Sequence, residues 1–183
     1  MESKLLRKSI VSVYLRLLAA DIVCLMFELF FVVARKAIGT PAHVIFSFLT
    51  VSITACLLGD GCMKIGTKLR NSVNTHKSEP CVRFGYKIGA ISMIPSYMMF
   101  VIVLLGKFGI IGNFLPYYKL LNSWCVPFIT LISSEISSAK ISIAALVTMA
   151  LYPVLFVVIC QLCFAVTYTG YDVKQKLIYK NKG

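Results

Sequence analysis

The sequence predicts an all-helical, multi-pass membrane protein with four transmembrane helices arranged as two hairpins. Hydrophobic residues make up 58% of the 183-residue chain. Charged residues make up only 14%, against about 25% in an ordinary soluble domain. A soluble core of this length cannot enclose so much apolar side chain, so lipid is expected to cover the excess. The length fits one membrane domain covering residues 1–183.

The positions of the four spans follow from the lengths of the apolar runs. A helix needs about 20 mostly apolar residues to cross the hydrocarbon core, and such runs occupy about residues 12–34, 42–58, 88–105 and 141–169. Pro95 and Pro153 fall inside the third and fourth runs, where proline is expected to kink a membrane helix. The first run carries two acids and leads directly into Arg35 and Lys36, so it is expected to be retained rather than cleaved as a signal peptide.

Basic residues predict the orientation of these spans, because they accumulate on the cytoplasmic side. The N-terminal flank, the loop between spans two and three and the tail together carry 13 basic residues, and the other two connections carry five. Both termini are therefore predicted to lie in the cytoplasm of a cell-membrane protein. The basic side is expected to attract anionic lipid. No aromatic–basic motif accompanies the net charge of +12, so no nucleic-acid partner is predicted.

The two longer connections differ in character. The cytoplasmic loop, about residues 63–86, is polar and expected to be partly irregular, although residues 64–70 are suited to extend span two. The outer segment, about residues 106–140, is too apolar for a free loop and contains the interfacial aromatics Tyr117, Tyr118 and Trp124. Short helices are predicted there. They either lie on the outer leaflet or form a re-entrant element, and the sequence leaves both alternatives open.

Two acids in the first span are the most informative residues. Asp21 and Glu28 are seven positions apart, which places them on one helix face about 10 Å apart along the axis. Each is expected to face protein or water, because a carboxylate in hydrocarbon is costly. One interpretation is a proton or cation relay or a contact with a partner helix. The other is structural: Asp21 bonded to a neighbouring hydroxyl, and Glu28 reaching towards Arg35. Arg16 has poor helical spacing for a bridge to Asp21.

Hydroxyl side chains in the second span form a stripe at spacings of three and four, formed by Ser47, Thr50 and Thr54. They are placed to donate hydrogen bonds to Asp21 or Glu28 across the first hairpin. The alternative is that each hydroxyl bonds to a carbonyl of its own helix.

Small residues predict two helix-packing sites. Gly85 and Gly89 form a Gly-x-x-x-Gly motif at the start of span three, and Ser134, Ser138 and Ser142 form a ladder near the start of span four. Such residues let helices approach closely. Packing within the chain is favoured over dimerisation at both sites.

Chemistry-bearing motifs are sparse, so no catalytic residue, metal or cofactor is predicted. Cys160 and Cys163 have Cys-x-x-Cys spacing but lie in an apolar span, and Cys62, His76 and Cys81 do not have zinc-site spacing. No hydrolase or phosphate-binding motif occurs, so an enzyme is not favoured. The sequence favours a non-enzymatic membrane subunit or scaffold with a membrane-protein partner or a second copy of itself. The alternative is a small oligomeric transporter or ion-conducting protein that uses the acids of span one.

Overall fold

The computed structural model describes residues 2–75 and 81–170, with side chains from residue 5 onward, and the regular structure in these ranges is helical. The α-helices are α1 (Glu2–Ile38), α2 (Thr40–Asn74), α3 (Phe84–Ser92), α4 (Ile94–Lys107), α5 (Leu115–Leu121), α6 (Val126–Ile132) and α7 (Ile143–Tyr168). Two 3-10 helices, Ser123–Cys125 and Ser138–Lys140, precede α6 and α7. The predicted all-helical class is confirmed.

Three helices are long and apolar enough to cross a membrane: Leu5–Ile38 within α1, Thr40–Asn74 and Ile143–Tyr168. The pair α3 and α4 qualifies as a fourth when it is counted as one span, and its two halves are bent by 43°. The described chain therefore has three candidate spans, or four with the bent pair, by length and composition.

The bend in the α3–α4 pair lies where the sequence predicts a kink. Met93 separates the two helices, and Pro95 stands in the first turn of α4. Proline lacks the backbone N–H that would continue the hydrogen-bond ladder, so the helix breaks just before it. Pro153, by contrast, lies inside α7, which runs on as a single helix.

Helices α1 and α2 form an antiparallel hairpin with a one-residue turn. Gly39 has a φ of 74°. Glycine adopts this left-handed conformation readily, whereas residues with a Cβ atom disfavour it. Helix α2 continues to Asn74, well past the predicted end of span two at residue 58. The first part of the predicted cytoplasmic loop is thus helical, because residues 64–70 are mostly good helix formers and contain no proline. Residues 76–80 lie outside the described ranges.

Helix α7 packs closely between α2 and α3 because glycines face it from both sides. A Cβ atom added to Gly59 would lie 3.0 Å from Cys163 Sγ, and one on Gly85 would lie 2.9 Å from the Cα of Gln161. Cys160 and Phe164 of α7, which face Gly89 and Gly85 of α3, are fully buried. Helix α7 is therefore the central packing element of the bundle.

Candidate functional site

Asp21 is fastened to the outer segment. Its side chain is 6% exposed, and one carboxylate oxygen accepts hydrogen bonds from the backbone N–H and the hydroxyl of Ser123, both at 2.7 Å. Ser123 opens the 3-10 helix that leads directly into α6. A carboxylate at a helix N-terminus interacts favourably with the unpaired N–H groups there. The geometry therefore makes Asp21 the anchor of this helical turn.

Aromatic packing holds the same turn against the middle of α7. Trp124 is 1% exposed. Its ring stacks on Tyr152 with a centroid distance of 5.8 Å and meets Phe156 edge-on at 4.9 Å. Phe156 lies 13 residues from the start of α7 and 12 from its end, which is about 20 Å and 18 Å along the axis at 1.5 Å per residue. The outer segment thus reaches the central turns of α7.

Glu28 lies two helical turns beyond Asp21 and has a different environment. Its Oε1 atom is buried, and no described group forms a hydrogen bond to it. The charge that acts on it most directly is that of Lys119 in α5, whose Nζ donates a hydrogen bond to the Glu135 carbonyl oxygen at 3.1 Å. Burial lowers the pKa of Lys119, and the negative charge of Glu28 opposes that effect. Glu28 is thus a half-buried acid with one buried carboxyl oxygen to which no described residue donates a hydrogen bond.

Two further polar atoms beside the Asp21 anchor share this property. Asn122 Oδ1 and Trp124 Nε1 are buried, and neither has a hydrogen-bond partner within residues 5–75 and 81–170. Asn122 uses its amide nitrogen to donate to the Tyr118 carbonyl oxygen at 3.2 Å. Of the four buried side-chain polar atoms without a hydrogen-bond partner in the described part of the chain, three therefore belong to α1 and the outer segment, and the fourth is Ser92 Oγ in α3.

The hydroxyl stripe of α2 bonds to its own helix. Ser47 donates to the His43 carbonyl oxygen, Thr50 to that of Phe46 at 3.0 Å, and Thr54 to that of Thr50 at 2.9 Å. The structure gives these hydroxyls no bond to Asp21 or Glu28, because a carbonyl four residues earlier is within reach of each one without any movement of the backbone.

His43 connects α2 to both α1 and α6, a role that the sequence did not reveal. Its ring meets Phe31 edge-on with a centroid distance of 4.8 Å. Its Nδ1 atom lies 3.4 Å from the Pro127 carbonyl oxygen at the start of α6. The side chain is 7% exposed, so it is a buried contact between elements.

An ion pair that was not predicted from the sequence lies farther along the α1–α2 hairpin. The Arg16 guanidinium contacts the carboxylate of Asp60, and Lys64 Nζ approaches the same oxygen at 3.0 Å. The register of an antiparallel hairpin closed at Gly39 brings residues 16 and 60 to nearly the same level. The hairpin register could therefore have predicted this ion pair from the sequence. It also explains why Arg16 points towards α2 and not towards Asp21.

Gly85 and Gly89 both pack on α7 within the chain. Gly85 faces Gln161 and Phe164, and Gly89 faces Val157 and Cys160. The Gln161 amide adds two hydrogen bonds to the same junction, accepting from the backbone N–H of Tyr86 and donating to the Val82 carbonyl oxygen, both at 3.0 Å. Close approach and polar contacts therefore occur together at this junction.

The three serines near the start of span four do not form a ladder on one helix. Ser134 is exposed in the irregular stretch after α6, Ser138 is buried in a 3-10 helix against Gly106, and Ser142 caps α7 by accepting from the Ala145 N–H at 3.2 Å. Helix α7 begins only at Ile143, because Ser142 is extended and serves as its N-cap. The predicted helical spacing therefore does not apply here.

The seven cysteines are free thiols. Among the described residues, no group of three or more histidine, cysteine, aspartate or glutamate side chains is arranged to hold a metal ion. Cys160 and Cys163 face different neighbours, Gly89 and Gly59. His76, part of the Cys62–His76–Cys81 set, lies outside the described ranges.

Comparison of this chain with known protein families, with curated proteins and with solved structures finds no match.

Proposed function

We propose that this chain crosses the membrane four times, with both ends in the cytoplasm and the outer segment re-entrant. The bent α3–α4 pair supplies the fourth crossing, and the split of basic residues, 13 against five, supports the orientation. The contact of Trp124 with the central turns of α7 supports re-entry over an interfacial position. The backbone of this turn meets the condition for non-helical chain at membrane depth, because it is buried in protein.

Within this topology, the proposed function is that of a non-enzymatic membrane subunit that binds a partner in the bilayer. The observation that carries the proposal is the buried Glu28 oxygen without a hydrogen-bond partner. A carboxylate left without a partner in a protein or lipid interior costs several kcal/mol. A hydrogen-bond donor or a cation on a partner helix would remove that cost, so association stabilises the chain at this position.

The neighbouring acid is assigned a different role. Asp21 already accepts two hydrogen bonds from Ser123, so it fastens the outer segment and has less capacity for an external group. Glu28 lies beside exposed apolar side chains of α1: Val32, one turn along the helix, is 54% exposed, and the adjacent Leu29 is 67% exposed. The Glu28 side chain as a whole is only half-buried, so a partner helix that packs on these side chains can approach its carboxyl group.

The test measures association of the full chain in mild detergent. Light scattering reports self-association, and quantitative co-purification from the native membrane reports a second protein. Glu28→Gln and Glu28→Leu are expected to shift the complex to free chain, and Glu135→Gln, which neutralises an exposed acid of the outer segment, is the matched control. A parent protein that stays monomeric without a stoichiometric companion contradicts the proposal, as does a complex that is insensitive to Glu28.

A second candidate function is conduction of protons or small cations by an oligomer. The specific observation is that the Glu28 Oε1 atom is buried without a hydrogen-bond partner among the described residues, on the same α1 face as Asp21 and about 10 Å from it along the helix axis. Flux would be measured in liposomes for the parent chain and for the double variant Asp21→Asn with Glu28→Gln. Flux in the parent that the double variant loses supports this function, and absence of flux in the parent rejects it.

A further inference from the structure

A basic groove lies between the first half of α1 and the second half of α2. Its volume is about 750 Å³. The cationic side chains that line it are Arg7, Lys8, Arg16, Lys64 and Lys68. This groove lies near the opposite end of the hairpin from the Gly39 turn, so it is separate from the Asp21–Ser123 contact.

The cations of the basic groove outnumber the acids that the structure places against them. Asp60 accepts ion pairs from Arg16 and Lys64. Among the described side chains, Arg7, Lys8 and Lys68 form no ion pair. The groove thus carries excess positive charge, which matches an anion.

The position of Arg16 in the groove depends on a glycine. A Cβ atom on Gly61 would lie 3.0 Å from Arg16 Nε and closer still to its Cδ. The bare backbone of α2 therefore lets the Arg16 side chain lie across the helix, where Asp60 holds its guanidinium.

Four apolar residues also line the basic groove, together with Ser9, Ser12 and Gly61: Leu5, Val11, Ile65 and Leu69. A cavity with cations and hydrocarbon together suits an amphiphile better than a fully hydrated ion, because the apolar wall gains nothing from an inorganic anion. A phosphate group with an attached acyl chain has the matching chemistry.

The level of the basic groove in the bundle fits a lipid head group. Gly66 lies one turn or less from Lys64 and Lys68 in α2, and it faces Phe164 and Tyr168 at the C-terminal end of α7. In the proposed topology this end of α7 meets the cytoplasmic leaflet, whose anionic lipids attract lysine and arginine.

We propose that the basic groove is a binding site for one anionic phospholipid of the cytoplasmic leaflet, with its phosphate between Lys8 and Lys68 and an acyl chain against Val11 and Ile65. The inference rests on the proposed membrane topology but not on the Glu28 contact. Its phosphate chemistry is shared with free inorganic phosphate, so the test must separate the two sources.

The experiment measures binding of short-chain phosphatidylglycerol to the full chain in a neutral detergent, with phosphatidylcholine and inorganic phosphate as comparison ligands. The double variant Lys8→Gln with Lys68→Gln is expected to bind phosphatidylglycerol at least about tenfold more weakly. Arg83→Gln with Lys87→Gln removes the same charge from exposed positions that do not line the groove, and it is expected to retain binding.

A double variant that keeps both positive charges tests whether the loss of lipid binding results from misfolding. Lys8→Arg with Lys68→Arg is expected to keep the affinity of the parent chain. Equal loss of affinity in the groove variant and the surface control overturns the proposal, and so does tighter binding of phosphatidylcholine. Binding of inorganic phosphate at the affinity of phosphatidylglycerol overturns the lipid assignment. Glu28→Gln distinguishes the lipid site from the proposed partner contact, because this variant is expected to alter association and leave lipid affinity unchanged.

Discussion

Asp21 and Ser123 are 102 positions apart in the sequence, yet the carboxylate of Asp21 accepts both the backbone N–H and the hydroxyl of Ser123 at 2.7 Å. This contact joins the first helix to the tip of the outer segment. It turns an acid that is costly in an apolar span into the anchor for a helical turn.

The first prediction compares how much stability is lost when each of the two residues in this contact is replaced. Asp21→Ala leaves the Ser123 N–H buried without an acceptor, whereas the Ser123 hydroxyl can still donate to the carbonyl oxygen of residue 21. The variant is expected to lower the free energy of unfolding by about 2 kcal/mol. Ser123→Ala keeps the backbone hydrogen bond, so its expected loss is about 1 kcal/mol. Thermal or denaturant unfolding in one detergent measures both. A larger effect for Ser123→Ala than for Asp21→Ala contradicts this account of the anchor.

The second prediction concerns close packing on α7. Gly85→Ala places a Cβ 2.9 Å from the Cα of Gln161, so α3 and α7 must separate and the loss of stability is expected to be about 2 kcal/mol. Gly112→Ala is the control, because nothing lies within 4 Å of its added Cβ. Unfolding midpoints of the two variants in one detergent decide the matter. Equal stability would show that the α3–α7 junction can open without cost.

The third prediction concerns the Arg16–Asp60 ion pair. The two side chains are 26% and 45% exposed, and such solvent-accessible pairs contribute about 0.2–1 kcal/mol. A double-mutant cycle with Arg16→Gln and Asp60→Asn is expected to give a coupling energy in this range, and added salt should reduce it. A coupling energy above about 3 kcal/mol would indicate a buried pair instead.

The fourth prediction concerns topology. An epitope inserted after Gly112, where an added side chain meets open space, is expected to be accessible to antibody on intact cells. An epitope fused after Gly183 is expected to become accessible only after the membrane is permeabilised. Accessibility of both epitopes on intact cells would place the C-terminus outside and reject the proposed orientation.

The candidate spans were predictable from sequence because apolar length and turn-forming residues act locally. Residues 141–169 were predicted for the last span, and α7 covers Ile143–Tyr168. The break before Pro95 likewise depends on a missing N–H in the immediate neighbourhood. The sequence allowed residues 64–70 to extend span two or to belong to the loop, and α2 continues to Asn74. The two alternatives stayed open because a polar, basic sequence is compatible with either a loop or an exposed helix, and hydropathy does not distinguish them.

The contacts of the candidate site were much less predictable from the sequence than the spans. The sequence marked Asp21 and Glu28 as residues that need partners, since a carboxylate in an apolar helix is costly wherever the helix lies. It did not identify Ser123 as the partner of Asp21, because 102 residues separate them and the outer segment was compatible with two positions. The hydroxyls of α2 were the predicted hydrogen-bond donors to Asp21 because α2 follows α1 in the chain. They donate instead to carbonyl oxygens of their own helix, which are closer to them.

The sequence by itself therefore determined the helical class, the candidate spans and the two acids that require an explanation, because these follow from composition and from interactions within a few residues. Only the tertiary structure decided which of the two acids has hydrogen-bond partners. It brings Ser123 to Asp21, leaves the Glu28 oxygen without a described partner, and gathers cations from α1 and α2 into one groove. The physical reason is that hydrogen bonds and burial depend on distances between helices, which the register of the α1–α2 hairpin and the packing of the outer segment on α7 establish.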